Sequence, residues 1–190
     1  MNKNLTALLV IGMMLLSGVA CQRTNNEKDM KELNLTTEWD KTFPKSDKVN
    51  HSKVIFVNRY GITLAADMYV PKDASDKLPA IAVCGPFGAV KEQAAGLYAQ
   101  TMAERGFLTV AFDPSYTGES GGEPRYVVSP DINTEDFSAA VDFLATNDMV
   151  DAEKIGIIGI CGWGGLAINA AVSAPLRSGT HRSTFHFVPS

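Results

Sequence analysis

The sequence predicts a mostly parallel α/β sheet with an antiparallel hairpin at one edge. Three observations carry that expectation. Two β-rich runs flank Tyr60-Gly61, nearly continuous apolar runs alternate with helical periods from residue 78 onward, and the elements read β-β-β-α-β-α-β-α. Runs that are apolar throughout, rather than alternating, belong to strands covered on both faces, and parallel strands need a crossover between them.

Taken in order, residues 22–50 are rich in Asn, Lys, Glu, Asp and Thr. That composition cannot bury a core and reads as a polar tether, with Trp39 and Phe43 as exceptions expected to dock on the domain edge. Residues 53–58 and 62–70 form the hairpin, and 71–76 a polar turn. Residues 78–84 make a buried strand, and 89–105 a helix whose shared face is read as Ala94, Leu97, Tyr98 and Met102, capped by Gly106. A second buried strand covers 107–112, followed by a loop over 113–125 crowded with glycine and proline. Asn133 is expected to open the next helix, with Asp136 completing a capping box and Ile132 and Phe137 spaced as a staple. Phe137, Ala140, Val141 and Leu144 give that helix its apolar stripe. A strand over 155–160 leads into a last helix, where Gly164, Gly165, Ala167, Ala170 and Ala171 offer a thin face and Pro175 a stop. There are no internal repeats.

At 190 residues the length fits one domain with a full core once any targeting segment is removed. A net charge of −4 and the lack of a basic, aromatic-interleaved patch speak against a nucleic-acid partner. Cys21, Cys84 and Cys161 sit at unrelated spacings, as do His51, His181 and His186, so neither a metal site nor a cofactor is expected. At the amino terminus, Lys3 precedes an apolar run over 5–16 that is short for a membrane span. Ser17-Gly-Val-Ala-Cys21 then resembles a bacterial lipoprotein signal, although Gly18 stands where leucine is usual. The expected layout is a signal peptide over 1–21 with Cys21 lipidated, a tether over 22–50, a domain over 51–174 and a tail over 175–190. Cleavage near Ala20 and secretion is the alternative. Either way the mature chain lies outside the cytoplasm, on the cell envelope if lipid-anchored, where thiols can oxidise.

The chemistry centres on Lys154-Ile-Gly-Ile-Ile-Gly-Ile-Cys-Gly-Trp-Gly-Gly165. A strand that turns directly into a helix lifts one side chain above the carboxyl edge of a sheet, and the amide that follows it, here on Gly162, is placed to hold an oxyanion. Gly159 supplies clearance, and Cys161 is the candidate nucleophile, because a thiolate paired with histidine attacks acyl carbons well. Two departures from G-x-S-x-G stand out: sulfur replaces oxygen, and Trp163 occupies a position that is ordinarily small. The alternative is a buried structural cysteine.

Over residues 54–172 the chain resembles bacterial α/β-hydrolases of the dienelactone-hydrolase-like and Xaa-Pro-dipeptidyl-peptidase-like groups. The likeness rests on Cys84-Gly-Pro-Phe-Gly-Ala-Val-Lys-Glu-Gln93, on the 113–125 loop and on the elbow. The resemblance implies the amino-terminal half of that fold, with the usual 1-2-4-3-5 strand order. It also implies a second oxyanion donor at the Phe87 amide, or at Gly88 if the loop is set one residue on. Where many relatives have a histidine, this chain has Cys84. The implied reaction is acyl transfer from a small-molecule ester or peptide through Cys161, with Phe87 and Gly162 holding the developing charge. Lys91 and Glu92 are read as a solvated first helical turn. Ser120 lies off the elbow and is not read as a nucleophile.

In such enzymes the acid and histidine follow the nucleophile on later strands. Residues 173–190 contain no Asp or Glu and no apolar period, and nothing there would hold His181 or His186 against Cys161. His51 precedes the hairpin and is expected to be exposed. The expectation is therefore a hydrolase amino-terminal half with its distal strands missing and an aberrant or frameshifted tail, prone to self-association through an exposed sheet edge. Three functional readings follow: a cysteine-dependent carboxylic-ester hydrolase of the envelope, a catalytically silent fragment or binding protein, and an Xaa-Pro-dipeptidyl-peptidase-like relative. Pairing of Cys84 with Cys161 is a further possibility, since both end neighbouring strands.

Overall fold

The computed structural model describes residues 33–173. The signal segment with Cys21, the start of the tether, and the tail with His181 and His186 lie outside the described residues. Five strands form one sheet: β1 (Val49–Val57), β2 (Thr63–Pro71), β3 (Leu78–Cys84), β4 (Leu108–Phe112) and β5 (Val150–Gly159), in the order β1-β2-β4-β3-β5. β3 runs parallel to both β4 and β5, while β2 is antiparallel to β4 and to β1. This is the mixed sheet and the strand order expected from the sequence. β5 closes the order on one side among the described residues.

Three helices cover the two faces: α1 (Ala94–Ala103), α2 (Pro130–Ala145) and α3 (Trp163–Ser173). One face packs Phe56, Leu64, Val110, Phe112 and Ile157 against Phe137 and Leu144 of α2 and Trp163 and Ala167 of α3. The other packs Tyr69, Ile81, Val83 and Ala111 against Ala95, Ala99 and Ala103 of α1 and against Phe43 from the amino-terminal segment. Apolar cover on both sides is why β3, β4 and the end of β5 read as nearly continuous apolar runs. Trp39 joins the second cluster and donates its ring N–H to the Phe43 carbonyl (3.0 Å), so both aromatics dock on the domain. No helix among the described residues is long and apolar enough to cross a membrane.

Several boundaries and faces differ from the sequence reading, each for a physical reason. β1 begins at Val49, so His51 lies inside a strand and is mostly covered, its ring nitrogen 2.8 Å from Asp67. β5 begins at Val150, and an irregularity between the Leu78 and Ala80 pairings absorbs the extra residues. In α1 the buried face is Ala95, Ala99 and Ala103, while Leu97 and Tyr98 are exposed. The helix sits too close to its neighbours for large residues: a Cβ on Gly96 would fall 2.9 Å from the Phe43 ring. Gly106, at φ 96°, ends it as expected, with its amide and that of Phe107 returning to the carbonyls of Ala103 and Met102.

α2 opens at Pro130, not Asn133. Proline suits the first helical position because its missing N–H would have no partner there. Asn133 instead accepts the Ser129 amide (2.8 Å), and Asp136 turns inward to a buried network rather than capping. Of the expected stripe, Phe137, Ala140 and Leu144 are fully buried, and Val141 packs partly buried against the same cluster.

Candidate active site

The carboxyl ends of β3, β4 and β5 converge on one edge, and the turn after β5 is its sharpest feature. The Ile160 amide still bonds the Cys84 carbonyl (3.1 Å), and one residue later Cys161 stands at φ 60° with its side chain exposed. Left-handed backbone costs an L-residue roughly 1–2 kcal/mol, so the fold holds a strained residue here. Two short bonds make the bend, from the Trp163 amide to Ile160 (3.3 Å) and from the Gly164 amide to Cys161 (3.0 Å), and neither uses the Gly162 amide.

The close approach that allows this bend falls at Gly159. A Cβ there would run into the Trp163 carbonyl and lie 2.8 Å from the Ala167 methyl. The tryptophan that broke the expected pattern therefore contributes its backbone to the crossing. Its ring turns away into the core, 5.0 Å from Phe87 and 6.4 Å from Phe137. Cys84 is the buried cysteine, its thiol pushed well up by burial, and Cys161 is the exposed one; the two are not joined.

Phe87 comes to the elbow from the loop after β3. Its ring lies against Gly162 so closely that a Cβ on that glycine would overlap it, and 49% of Phe87 stays exposed. The loop turns through an Ala89 amide bond to the Pro86 carbonyl (3.1 Å) and through Gly88 at φ 78°. The structure thus brings Cys161, Gly162 and Phe87 together.

It does not bring a histidine. His51 sits on β1, level with Tyr69 and through it with Thr109 near the amino end of β4. That is the opposite side of the sheet from β5, and no described histidine faces Cys161.

A second constellation was missed by the sequence reading. Lys91, expected in solvent, has no exposed side-chain surface. Its ammonium lies 2.8 Å from Asp113 Oδ2 and 2.7 Å from Glu119 Oε2, and its amide donates to Asp113 Oδ1 (2.8 Å). Burial opposes the charge, but the Asp113 carboxylate and the bonds to Glu119 and Glu92 outweigh it and hold the ammonium above the ordinary lysine range. For Glu119, burial is likewise outweighed by Lys53, Lys91 and the Thr36 amide, and its pKa falls to about 2. Oxygens of Asp40, Glu92 and Glu119 lie within 4.8 Å of one another, a spacing that would suit a metal ion. Lys53 fills that space, at 3.4, 3.3 and 2.6 Å from the three carboxylates. The one signal in the sequence was Asp113, an acid placed directly after a nearly continuous apolar run.

Behind this cluster, the 113–125 loop is pinned by neutral donors. The buried Asp136 carboxylate accepts from the Ser115 amide (2.8 Å) and hydroxyl (2.7 Å), from Asn58 (2.8 Å) and from Asn133 (3.0 Å). Burial still leaves its pKa raised. Ser120 is equally internal, accepting the Ala65 amide (2.8 Å) and donating to the Asp113 carbonyl (2.7 Å), which makes it a loop anchor.

Comparison with known proteins agrees with the fold. The family model described as X-Pro dipeptidyl-peptidase (S15 family) matches residues 60–178. An uncharacterized protein of Pseudomonas aeruginosa, PA2218, is 68% identical over 155 residues, covering 81% of this chain and 42% of that one. Its crystal structure superposes with a TM-score of 0.74 at 70% identity, over 76% of this chain and 45% of that chain. The thiohydrolase aneE of Aspergillus aculeatus is 33% identical over 126 residues, 66% of this chain and 39% of the relative. A dienelactone hydrolase-like promiscuous phosphotriesterase, P91, from metagenomic libraries shares the fold at 19% identity and a TM-score of 0.55, over 67% of this chain and 56% of its own. The chain thus spans about two fifths of the length of the curated relatives it matches.

Proposed function

We propose, since the chain belongs to the X-Pro dipeptidyl-peptidase (S15) family of the α/β-hydrolase superfamily, that it carries the nucleophile and oxyanion elements of an acyl-bond hydrolase related to those peptidases. The family match favours this reading over the plain carboxylic-ester hydrolase. The observation that carries it is Cys161, exposed at φ 60° between β5 and α3 with Phe87 against the next residue.

In this reading the Cys161 sulfur attacks the acyl carbon, and the amides of Gly162 and Phe87 hold the tetrahedral oxyanion. The C–N or C–O bond breaks as the amine or alcohol leaves with a proton, and water then hydrolyses the thioester to free acid and thiol. Losing one such donor lowers the rate by roughly 10²–10³ in hydrolases of this type. The proton from the thiol needs a base, and the described residues do not supply one. Two features of the wider protein belong to the same proposal: lipidation at Cys21 placing the domain on the cell envelope, and self-association through the edge that β5 forms among the described residues.

The test compares turnover of an Ala-Pro p-nitroanilide, p-nitrophenyl acetate and an acyl thioester by the full chain and by Cys161→Ala. Cys161-dependent release from the anilide supports the peptidase relation, and release from the esters alone supports the ester hydrolase. Absence of any Cys161-dependent burst on all three leaves a catalytically silent member of the family. Incorporation of labelled fatty acid, lost in Cys21→Ala, tests the anchor.

A further inference from the structure

The loop carrying Phe87 and the loop after β4 are separate peptides that meet at the carboxyl edge, and one residue staples them. Lys91 spends its amide on one oxygen of Asp113 and its ammonium on the other, both at 2.8 Å, and reaches Glu119 at 2.7 Å. Asp113 Oδ2 also accepts the Glu119 amide (3.0 Å), and Gly118 passes so close that a Cβ there would overlap the carboxylate. The amino-terminal segment closes the cluster from outside. The Thr36 amide donates to Glu119 Oε1 (2.7 Å), the Thr42 amide to the Glu92 carbonyl (3.0 Å), and Lys53 to Glu119 Oε2 (2.6 Å).

Burying an ammonium and its carboxylates gains little over an apolar filling of the same shape, so stability alone does not account for the arrangement. Its geometric consequence is direct: it fixes the far end of the short stretch between β3 and Lys91, whose near end is already held by the pairing of Cys84 with β5. In that stretch Phe87 lies against Gly162. We infer that Lys91 is a positioning residue for the acyl-transfer site, its buried ammonium and amide locking the Phe87 loop to Asp113 and Glu119, with residues 36–42 as the outer strap. This inference rests on the reading of Cys161, Gly162 and Phe87 as that site.

The test is the near-isosteric neutral pair Lys91→Met with Asp113→Asn, which removes the charges together and leaves neither buried alone. Hydrogen exchange of the amides over residues 85–90 is expected to rise at least about tenfold while β3 and β4 stay protected, because the loop alone is released. Cys161-dependent kcat should fall by roughly 10²-fold, the size of a misplaced oxyanion donor, with KM within about threefold of wild type. Unchanged exchange over 85–90 overturns the inference, as does a loosened loop with unchanged kcat. A parallel loss of kcat, KM and global protection overturns it too, because it marks a purely structural role. If the wild type shows no Cys161-dependent turnover, the proposed function fails and the exchange measurement alone decides the role of Lys91. Should the double variant not fold, Glu119→Gln keeps the Lys91–Asp113 pair and should loosen 85–90 to a smaller degree; no change there contradicts the assignment.

Discussion

The two turns that flank the candidate site are held by opposite means. After β5 the backbone does the holding: Gly159 lets α3 cross, two short amide bonds close the bend, and Cys161 absorbs the strain at φ 60°. After β3 buried charge does it, with Lys91 gripped by Asp113, Glu119 and Glu92. A turn made by local sterics tolerates changes of charge and fails when a methyl is added. A turn held by an ion cluster has room for a methyl at Gly88, where nothing lies within 4 Å of a Cβ, and fails when one partner is lost. The cysteines repeat the contrast, because Cys84 continues its strand and is buried, whereas Cys161 sits beyond its strand on the bend and is exposed.

The largest stability effect should come from breaking the charged side alone. Lys91→Met leaves Asp113 buried without its ammonium and is expected to cost about 3–5 kcal/mol by denaturant unfolding, more than the double variant with Asp113→Asn. Next comes Gly159→Ala, whose methyl meets the Trp163 carbonyl and should cost about 1–3 kcal/mol. At Gly88, where nothing lies within 4 Å of a Cβ but φ is 78°, alanine should cost only about 1 kcal/mol through backbone strain. A smaller effect of opposite sign tests strain at the elbow. Cys161→Gly relieves roughly 1–2 kcal/mol of left-handed strain and gives back part of it as chain entropy, for a net gain of about 0.5–1 kcal/mol. Cys161→Ala, which keeps the Cβ, should show no such gain.

The smallest effect is a change in the shape of the pH profile. Glu119 has its pKa depressed to about 2 from an ordinary 4.5, so its share of stability is present above about pH 4.5 and is lost as pH falls towards 2. Glu119→Gln should flatten that part of the acid limb in a thermal melt followed against pH. An acid limb unchanged by the substitution would show that Lys53 and Lys91 do not favour its charged form.

The sheet was legible because its causes are local. Apolar runs over both faces named β3, β4 and the end of β5, and the hairpin followed from Tyr60-Gly61 between two β-rich runs. The elbow was legible for the same reason, since Gly159, Cys161 and Trp163 lie within one turn of chain. The face of α1 was misread because bulk was taken as the guide, whereas Gly96 and the spacing of Ala95, Ala99 and Ala103 set how close the helix comes. Lys91 was misread because its partners Asp113 and Glu119 are distant in sequence, and a Lys-Glu pair opening a helix ordinarily faces water. Asp136 fits the spacing of a capping box, but its acceptors serve Ser115 and Asn58 from other elements.

The central claim is that Cys161 is a perched nucleophile and Cys84 is not. Quenching the full chain within the first turnover of p-nitrophenyl acetate and mapping the acetyl group by peptide mass spectrometry tests it directly. The account predicts an acetyl thioester on the peptide carrying Cys161, absent from Cys161→Ala and absent from the Cys84 peptide. Acetyl on Cys84, or on Ser120 in the Cys161→Ala protein, or on no side chain at all, would contradict it.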